Sequence, residues 1–182
     1  MKVAGSLATI AAQKNQSLAE SFLSADAIVI VDTSASMATA DSRAGKSRYA
    51  VAVEELTRLQ ADLPGKVAVM SFANQVRFEP GGIPNLPDGS TDLAAALRFV
   101  QVADGCVQFF VVSDGEPNDG AAALAVAKQF ESVINCVYVG PEGGPGSAFL
   151  AQLAKASGGK SATAAHGIAL AGTVRQLLAA NI

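Results

Sequence analysis

Tryptophan is absent from this chain, histidine occurs once, and cysteine twice. Each shortage narrows the chemistry available. Cys106 and Cys136 lie at or inside apolar, strand-like runs, so both read as small buried hydrophobes. The strand assignment places them at different depths, which argues against a disulfide. Without a disulfide framework or a convincing export signal, the expected location is intracellular, in the cytoplasm. The one histidine, His166, precedes the last helical segment and falls on a far strand end, away from Ser34 and Ser36. A Ser-His-Asp nucleophile set is therefore not expected. Lysine and arginine are scattered and the net charge is −3, which excludes a phosphate-backbone binder. No apolar run approaches the roughly 20 residues that span a bilayer. The N-terminal "MKVAGSLATIAAQ" is weakly hydrophobic and holds Gly, Ser and Thr. It reads as part of a surface helix over residues 5–23, with Leu7, Ile10, Leu18 and Phe22 on its apolar side, and not as a signal peptide. No internal repeat or low-complexity stretch is visible.

What the chain does have is apolar residues, half of its 182, enough for a sizeable core in one domain. They form runs of strand length at 27–31, 66–73, 107–112 and 134–140. These runs lack polar alternation, so they predict strands buried on both faces, as in a parallel sheet. "VRFE" (76–79) follows the second run across "NQ" and predicts an antiparallel hairpin partner at an edge. "KSATAA" (160–165) predicts a weak strand suited to the other edge. Helical segments alternate with the strands at 48–63, 90–103, 119–133, 147–157 and 168–181. Ser90 and Thr91 are cap candidates for the second of these, and Asp119 for the third. The pattern predicts an α/β fold: a doubly wound, mostly parallel six-stranded sheet of order 3-2-1-4-5-6, with one antiparallel edge strand and helices on both faces. Winding reverses between the first and fourth strands, and ligands bind outside the C-terminal strand ends at such a reversal.

Those strand ends carry short, oxygen-bearing side chains. "AIVIVDTSASM" runs from a strand into Asp32, Thr33, Ser34 and Ser36. The fourth strand ends in "SDGEPND" with Asp114 at its tip, and "DGSTD" places Thr91 before a helix. Positions i and i+2 of an extended chain point the same way, so Asp32 and Ser34 share a side, and a turn can bring Ser36 round to them. Thr91 and Asp114 reach in from two other loops. No His, Cys or Lys joins the group, and an oxygen-only set suits a hard cation such as Mg²⁺ or Mn²⁺, with Ca²⁺ as a further option.

"DTSASM", the separate Thr91 and the post-strand Asp114 together resemble the metal-ion-dependent adhesion site of the von Willebrand factor type A (vWA) domain. The resemblance covers roughly residues 26–181 in element order, so it implies a vWA domain over 25–182 behind an N-terminal helical extension, 1–24. It implies that Ser34 and Ser36 ligate the metal through their hydroxyls and that Thr91 does so directly or through water. Asp32 and Asp114 would act directly or through coordinated waters. Glu116 and Asp119 read as turn and cap residues instead. A cation held mainly by neutral hydroxyls keeps positive charge for an outside ligand. The family uses that charge to take a Glu or Asp carboxylate from a partner protein. The expected function is a binding or adaptor module and not a catalyst. Intracellular relatives by fold serve as adaptors to AAA-type ATPases or stress-response systems, and the Ala-rich composition resembles a bacterial source.

Three other readings compete. Asp32 and the serines could merely cap a turn. Asp32 could be the nucleophile of a Mg-dependent hydrolase or phosphatase, as in the haloacid-dehalogenase type. There an Asp-x-Asp follows the strand, whereas here Ser34 stands in the second acid's place. "AGKS" (44–47) resembles a P-loop tail, yet Ala40 stands where the pattern needs glycine. Met37 is either an apolar contact at the site's rim or a packing residue. The loops 37–47, 80–90 and 115–120 would build the partner surface.

Overall fold

Four apolar runs and two weaker edge segments become six strands. The computed structural model describes residues 2–164 and Gly172. The strands are β1 (Ala27–Asp32), β2 (Val67–Phe72), β3 (Val76–Phe78), β4 (Gln108–Ser113), β5 (Ile134–Tyr138) and β6 (Ser161–Thr163). The helices are α1 (Leu7–Lys14), α2 (Leu18–Leu23), α3 (Arg48–Asp62), α4 (Leu93–Val100), α5 (Gly120–Ala127) and α6 (Pro145–Ala156). His166 and, apart from Gly172, the helix expected over 168–181 lie outside the described residues. The sheet order is β3-β2-β1-β4-β5-β6, with β3 antiparallel to β2 and every other pair parallel. This is the expected doubly wound order, and β1 sits between β2 and β4 where the winding reverses.

Every residue of β1, β2 and β5 is buried, as continuous apolar runs require. Successive side chains alternate between two cores. Ile28, Ile30, Met70, Phe72, Phe109 and Val111 pack on the side of α4, α5 and α6. Val29, Val31, Val69, Phe110 and Val112 pack against Val51, Leu56 and Leu59 of α3. Met37 is fully buried in that second core, which settles its role as packing.

Four expectations need correction. The helix over 5–23 is two helices. Asn15 takes a left-handed conformation (φ 53°), and a capping box restarts the chain. In it the Ser17 hydroxyl accepts from the Glu20 N–H (3.2 Å) and the Glu20 carboxylate accepts from the Ser17 N–H (2.8 Å). Leu7 is in the core, whereas Leu18 is 42% exposed. The helix after the 80–90 loop starts later than Ser90 because Asp92 caps it, accepting from the Ala95 N–H at 3.0 Å. That leaves Thr91 outside the helix. Cys106 is exposed in the turn before β4, while Cys136 is buried and burial pushes its thiol up to about 12; both are free thiols. The helix expected over 119–133, α5, also stops short, at Ala127, because the Asp104 carboxylate accepts from the N–H groups of Glu131 and Ser132 (both 2.8 Å) and turns the chain.

The segment between the site and α3 is bound down by charge. Glu55 on α3 is 2% exposed and pairs with Arg43 at 3.0 Å and with the more exposed Arg58 at 3.3 Å. Arg43 also reaches Glu54 at 3.2 Å, and Lys46 pairs with Glu54 as well. Alanine at Arg43 leaves the buried Glu55 carboxylate with one exposed partner, at an expected cost of about 3 kcal/mol in urea unfolding. Adding Glu55→Gln is expected to recover most of it, because no uncompensated charge then stays buried. Full loss in the double variant would mean that packing, not charge, carries the effect. The "AGKS" stretch lies in this segment, begins inside the 3₁₀ turn Arg43–Gly45 and does not follow a strand, so it is not placed as a P-loop.

Candidate metal-binding site

The C-terminal end of β1 is built so that alternate residues face opposite ways. Thr33 turns to β2, and its N–H and hydroxyl both donate to the Phe72 carbonyl, at 2.8 and 3.0 Å. Asp32 and Ser34 turn toward β4. The Ser34 N–H donates to Asp32 Oδ1 at 2.8 Å, which tightens the chain into a turn. A short 3₁₀ helix, Ala35–Ala38, then carries Ser36 back: Ser34 Oγ and Ser36 Oγ lie 3.1 Å apart. Ser36 Oγ donates to Asp114 Oδ2 at 2.6 Å across the crevice. Four of the five expected site residues are thus linked in one hydrogen-bonded chain, from Asp32 through Ser34 and Ser36 to Asp114.

Thr91 enters through its loop. The Ala35 N–H donates to the Gly89 carbonyl (3.0 Å) and the Asp88 N–H to the Thr33 carbonyl (2.8 Å), tying the 88–92 segment to the turn after β1. Asn118 ties it to the loop after β4: Asn118 Oδ1 accepts from the Thr91 N–H at 3.1 Å, and the Asn118 N–H donates to the Thr91 carbonyl at 3.0 Å. Thr91 is 6% exposed, and its hydroxyl makes no hydrogen bond among the described residues. Glu116 is exposed, and Asp119 caps α5 by accepting from the Ala122 N–H at 2.8 Å, so both are turn and cap residues as expected.

Electrostatics at the site are costly for the bare protein. Asp32 is fully buried, and burial pushes its carboxyl up to about 6. Hydrogen bonds from Ser113 and Ser34 pull the other way, and the neighbouring Asp114 charge adds to the rise. Ser113 is a supporting residue that the sequence reading missed: its hydroxyl donates to Asp32 Oδ2 at 2.6 Å and accepts from the Gly115 N–H at 2.9 Å. Asn118 was missed too, although it stands in the quoted "SDGEPND". Arg48 and Asp41 were missed for another reason. Arg48 Nη1 donates to Asp114 Oδ2 at 2.7 Å, and Arg48 also grips Asp41. Nothing local in the sequence says that the first turn of α3 opens onto the end of β4.

Among the described residues no three His, Cys, Asp or Glu side chains gather as a metal cluster. Any cation here must lean on hydroxyls. The donors fit one: they are all oxygens, and the spacings of 2.6 and 3.1 Å bracket the roughly 3 Å between neighbouring ligands of an octahedral ion at about 2.1 Å.

No family model matches the sequence, and no curated protein matches it. Among solved structures the chain is similar to the manganese-loaded TRAP protein of Plasmodium vivax. The two are 18% identical with a TM-score of 0.52, over 73% of this chain and 63% of that one. This chain has a vWA-like fold. It is also similar, at 18% identity and a TM-score of 0.42, to the RO (RSR) protein of Deinococcus radiodurans, over 75% of this chain and 35% of that one. That looser likeness adds nothing to the fold argument. The chain spans less than two thirds of either protein. At the crevice between β1 and β4, Asp32, Ser34, Ser36 and Asp114 are joined by hydrogen bonds, and the backbone of the Thr91 loop is tied to the turn after β1. No helix among the described residues is long and apolar enough to cross a membrane.

Proposed function

We propose that the protein is a metal-dependent protein-binding module. In this reading a divalent cation, Mg²⁺ or Mn²⁺, is held by the hydroxyls of Ser34, Ser36 and Thr91. Asp32 and Asp114 support it directly or through water. When bound, the ion supplies an electrophilic centre with positive charge to spare, which an anionic oxygen of a partner can satisfy. The observation that carries the reading is the convergence of three chain segments, bringing Ser34, Ser36 and Asp114 within hydrogen-bond distance while the Thr91 hydroxyl stays uncommitted. The likeness to a structure solved manganese-loaded supports it.

This chain's own residues do three things. Ser34, Ser36 and Thr91 offer lone pairs without adding negative charge, so the site is not neutralised from within. Asp32, gripped by Ser113 and the Ser34 N–H, holds the turn in shape. The surrounding loops present the mouth of the site to a partner, whose Glu or Asp carboxylate is the ligand the site lacks. The phosphatase reading fares worse. A nucleophilic carboxylate needs an accessible oxygen, yet Asp32 is fully buried and both its oxygens accept hydrogen bonds. We assign the module no catalytic step, and we place it in the cytoplasm.

The test is capture from an extract of the source cell by the immobilised protein, with Mg²⁺ and with EDTA. A specific partner is expected in Mg²⁺ alone, and the Asp32→Ala, Ser34→Ala double variant is expected to lose it while remaining folded by circular dichroism. Capture of equal strength in EDTA would overturn the reading.

A further inference from the structure

The first turn of α3 brings a cation into the site. Arg48 is 9% exposed, and its Nη1 donates to Asp114 Oδ2 at 2.7 Å. Its Nε and Nη2 make a two-pronged contact with Asp41, at 2.8 and 2.7 Å. Ser36 Oγ donates to the same Asp114 Oδ2 at 2.6 Å. One carboxylate oxygen therefore receives both a hydroxyl of the turn after β1 and a guanidinium.

We infer that Arg48 is an internal counter-cation that competes with a divalent ion for Asp114, with Asp41 as its fallback partner. The inference rests on the metal-binding reading above and adds a control to it. A carboxylate oxygen has two lone-pair directions, and both are taken at Oδ2. Ser36 can stay when a metal arrives, because its own oxygen can turn a lone pair to the ion. The guanidinium cannot: it has no lone pair to offer, it is always charged, and like charges repel. For the ion to take Oδ2 directly, the guanidinium must withdraw from Asp114. Asp41, whose side chain is 35% exposed, still holds it by the fork-shaped contact that arginine makes with a carboxylate. The ion and the guanidinium thus exclude each other at one oxygen, and each weakens the other's hold by the same factor. Asp41 lies in the 37–47 loop at the mouth of the site, so metal loading is transmitted to the partner-facing rim.

Two measurements test this. Free Mn²⁺ is counted by electron paramagnetic resonance during titration of the full chain. Arg48→Gln is expected to bind Mn²⁺ about tenfold more tightly than the wild type, the scale of removing one unit charge close to a divalent ion at a solvated mouth. Asp41→Asn is expected to bind several-fold more weakly, because Arg48 then depends on Asp114 alone. In the wild-type protein, nitrogen-15 NMR of the Arg48 guanidinium should show its Asp114-bound signal lost as diamagnetic Mg²⁺ saturates the site. This second measurement stands even if the Arg48 variant fails to fold. Wild-type binding with equal or weaker binding in Arg48→Gln overturns the inference and leaves the metal reading intact. So does an Arg48 signal unchanged at saturation. Binding by Arg48→Gln but not by the wild type supports it, with the guanidinium as the stronger competitor. Absence of binding in both proteins sinks the metal reading and this inference together.

Discussion

Mg²⁺ or Mn²⁺ at about a hundred times its dissociation constant is expected to raise the melting temperature by roughly 5–10 °C, and the Asp32→Ala, Ser34→Ala double variant is expected to lose the whole shift. The size follows from mass action. A ligand that binds only the native state at that excess adds about 2.7 kcal/mol, and each kcal/mol moves the midpoint of a domain this size by about 2–4 °C. The unfolded chain cannot bind comparably, because Ser34, Thr91 and Asp114 come together only through β1, β4 and the loops between them. The bare site also has a cost for the ion to relieve, since Asp32 is fully buried and burial pushes its carboxyl up to about 6. Ser34→Ala alone is the cleaner control for folding, because the Ser34 hydroxyl reaches only Ser36 Oγ and the neighbouring Asp32, both within the site. It is expected to keep the metal-free melting temperature within a degree or two and to lose more than half of the metal-induced rise. Differential scanning fluorimetry with and without EDTA reads both. A wild-type melting curve indifferent to millimolar Mg²⁺ and Mn²⁺ would refute the metal site.

The second large effect needs no metal. Gly115→Ala is expected to lower stability by more than about 3 kcal/mol, or some 6–12 °C in melting temperature. Gly115 follows Asp114 with φ +75°, a conformation that costs an L-residue about 1 kcal/mol or more. A methyl group there would also overlap the Gly146 carbonyl at the start of α6, which is backbone and cannot rotate away. Gly146 is tight in return: a methyl group there would overlap the Asp114 carbonyl. This mutual approach of two glycines sets where Asp114 points. Gly143→Ala is the control: it shares the positive φ (+73°) but has open space around it. It is expected to cost about 1 kcal/mol, the conformational part alone. Equal losses at the two positions would show that contact with α6 contributes nothing.

Much of this architecture could be read before any coordinates. The apolar runs at 27–31, 66–73, 107–112 and 134–140 named the buried strands because a strand covered on both faces has no polar side to alternate with. Helical segments between them required crossovers, and crossover handedness left few strand orders. The five oxygen-bearing residues were legible because each sits at a strand end or in a loop before a helix. What failed were local competitions. "SLAE" at residues 17–20 is a capping box within a helix-like pattern, and it won over continuity. Asp92 outcompeted Ser90 and Thr91 for the cap of α4, since a charged oxygen accepts more strongly than a hydroxyl.

By itself, then, the sequence determined the sheet, its order, and which short oxygen-bearing side chains gather at its mouth, since these follow from period, length and handedness. Tertiary structure alone decided what else faces them. Arg48 meets Asp114 from 66 residues away in the chain, Ser113 meets Asp32 from 81, and Gly115 meets Gly146 across the entry to α6. Each of these contacts joins elements whose neighbours along the chain hold no trace of the other. A pairing of that kind depends on where the sheet places two strand ends and a helix start, and so it becomes visible only when the chain is folded.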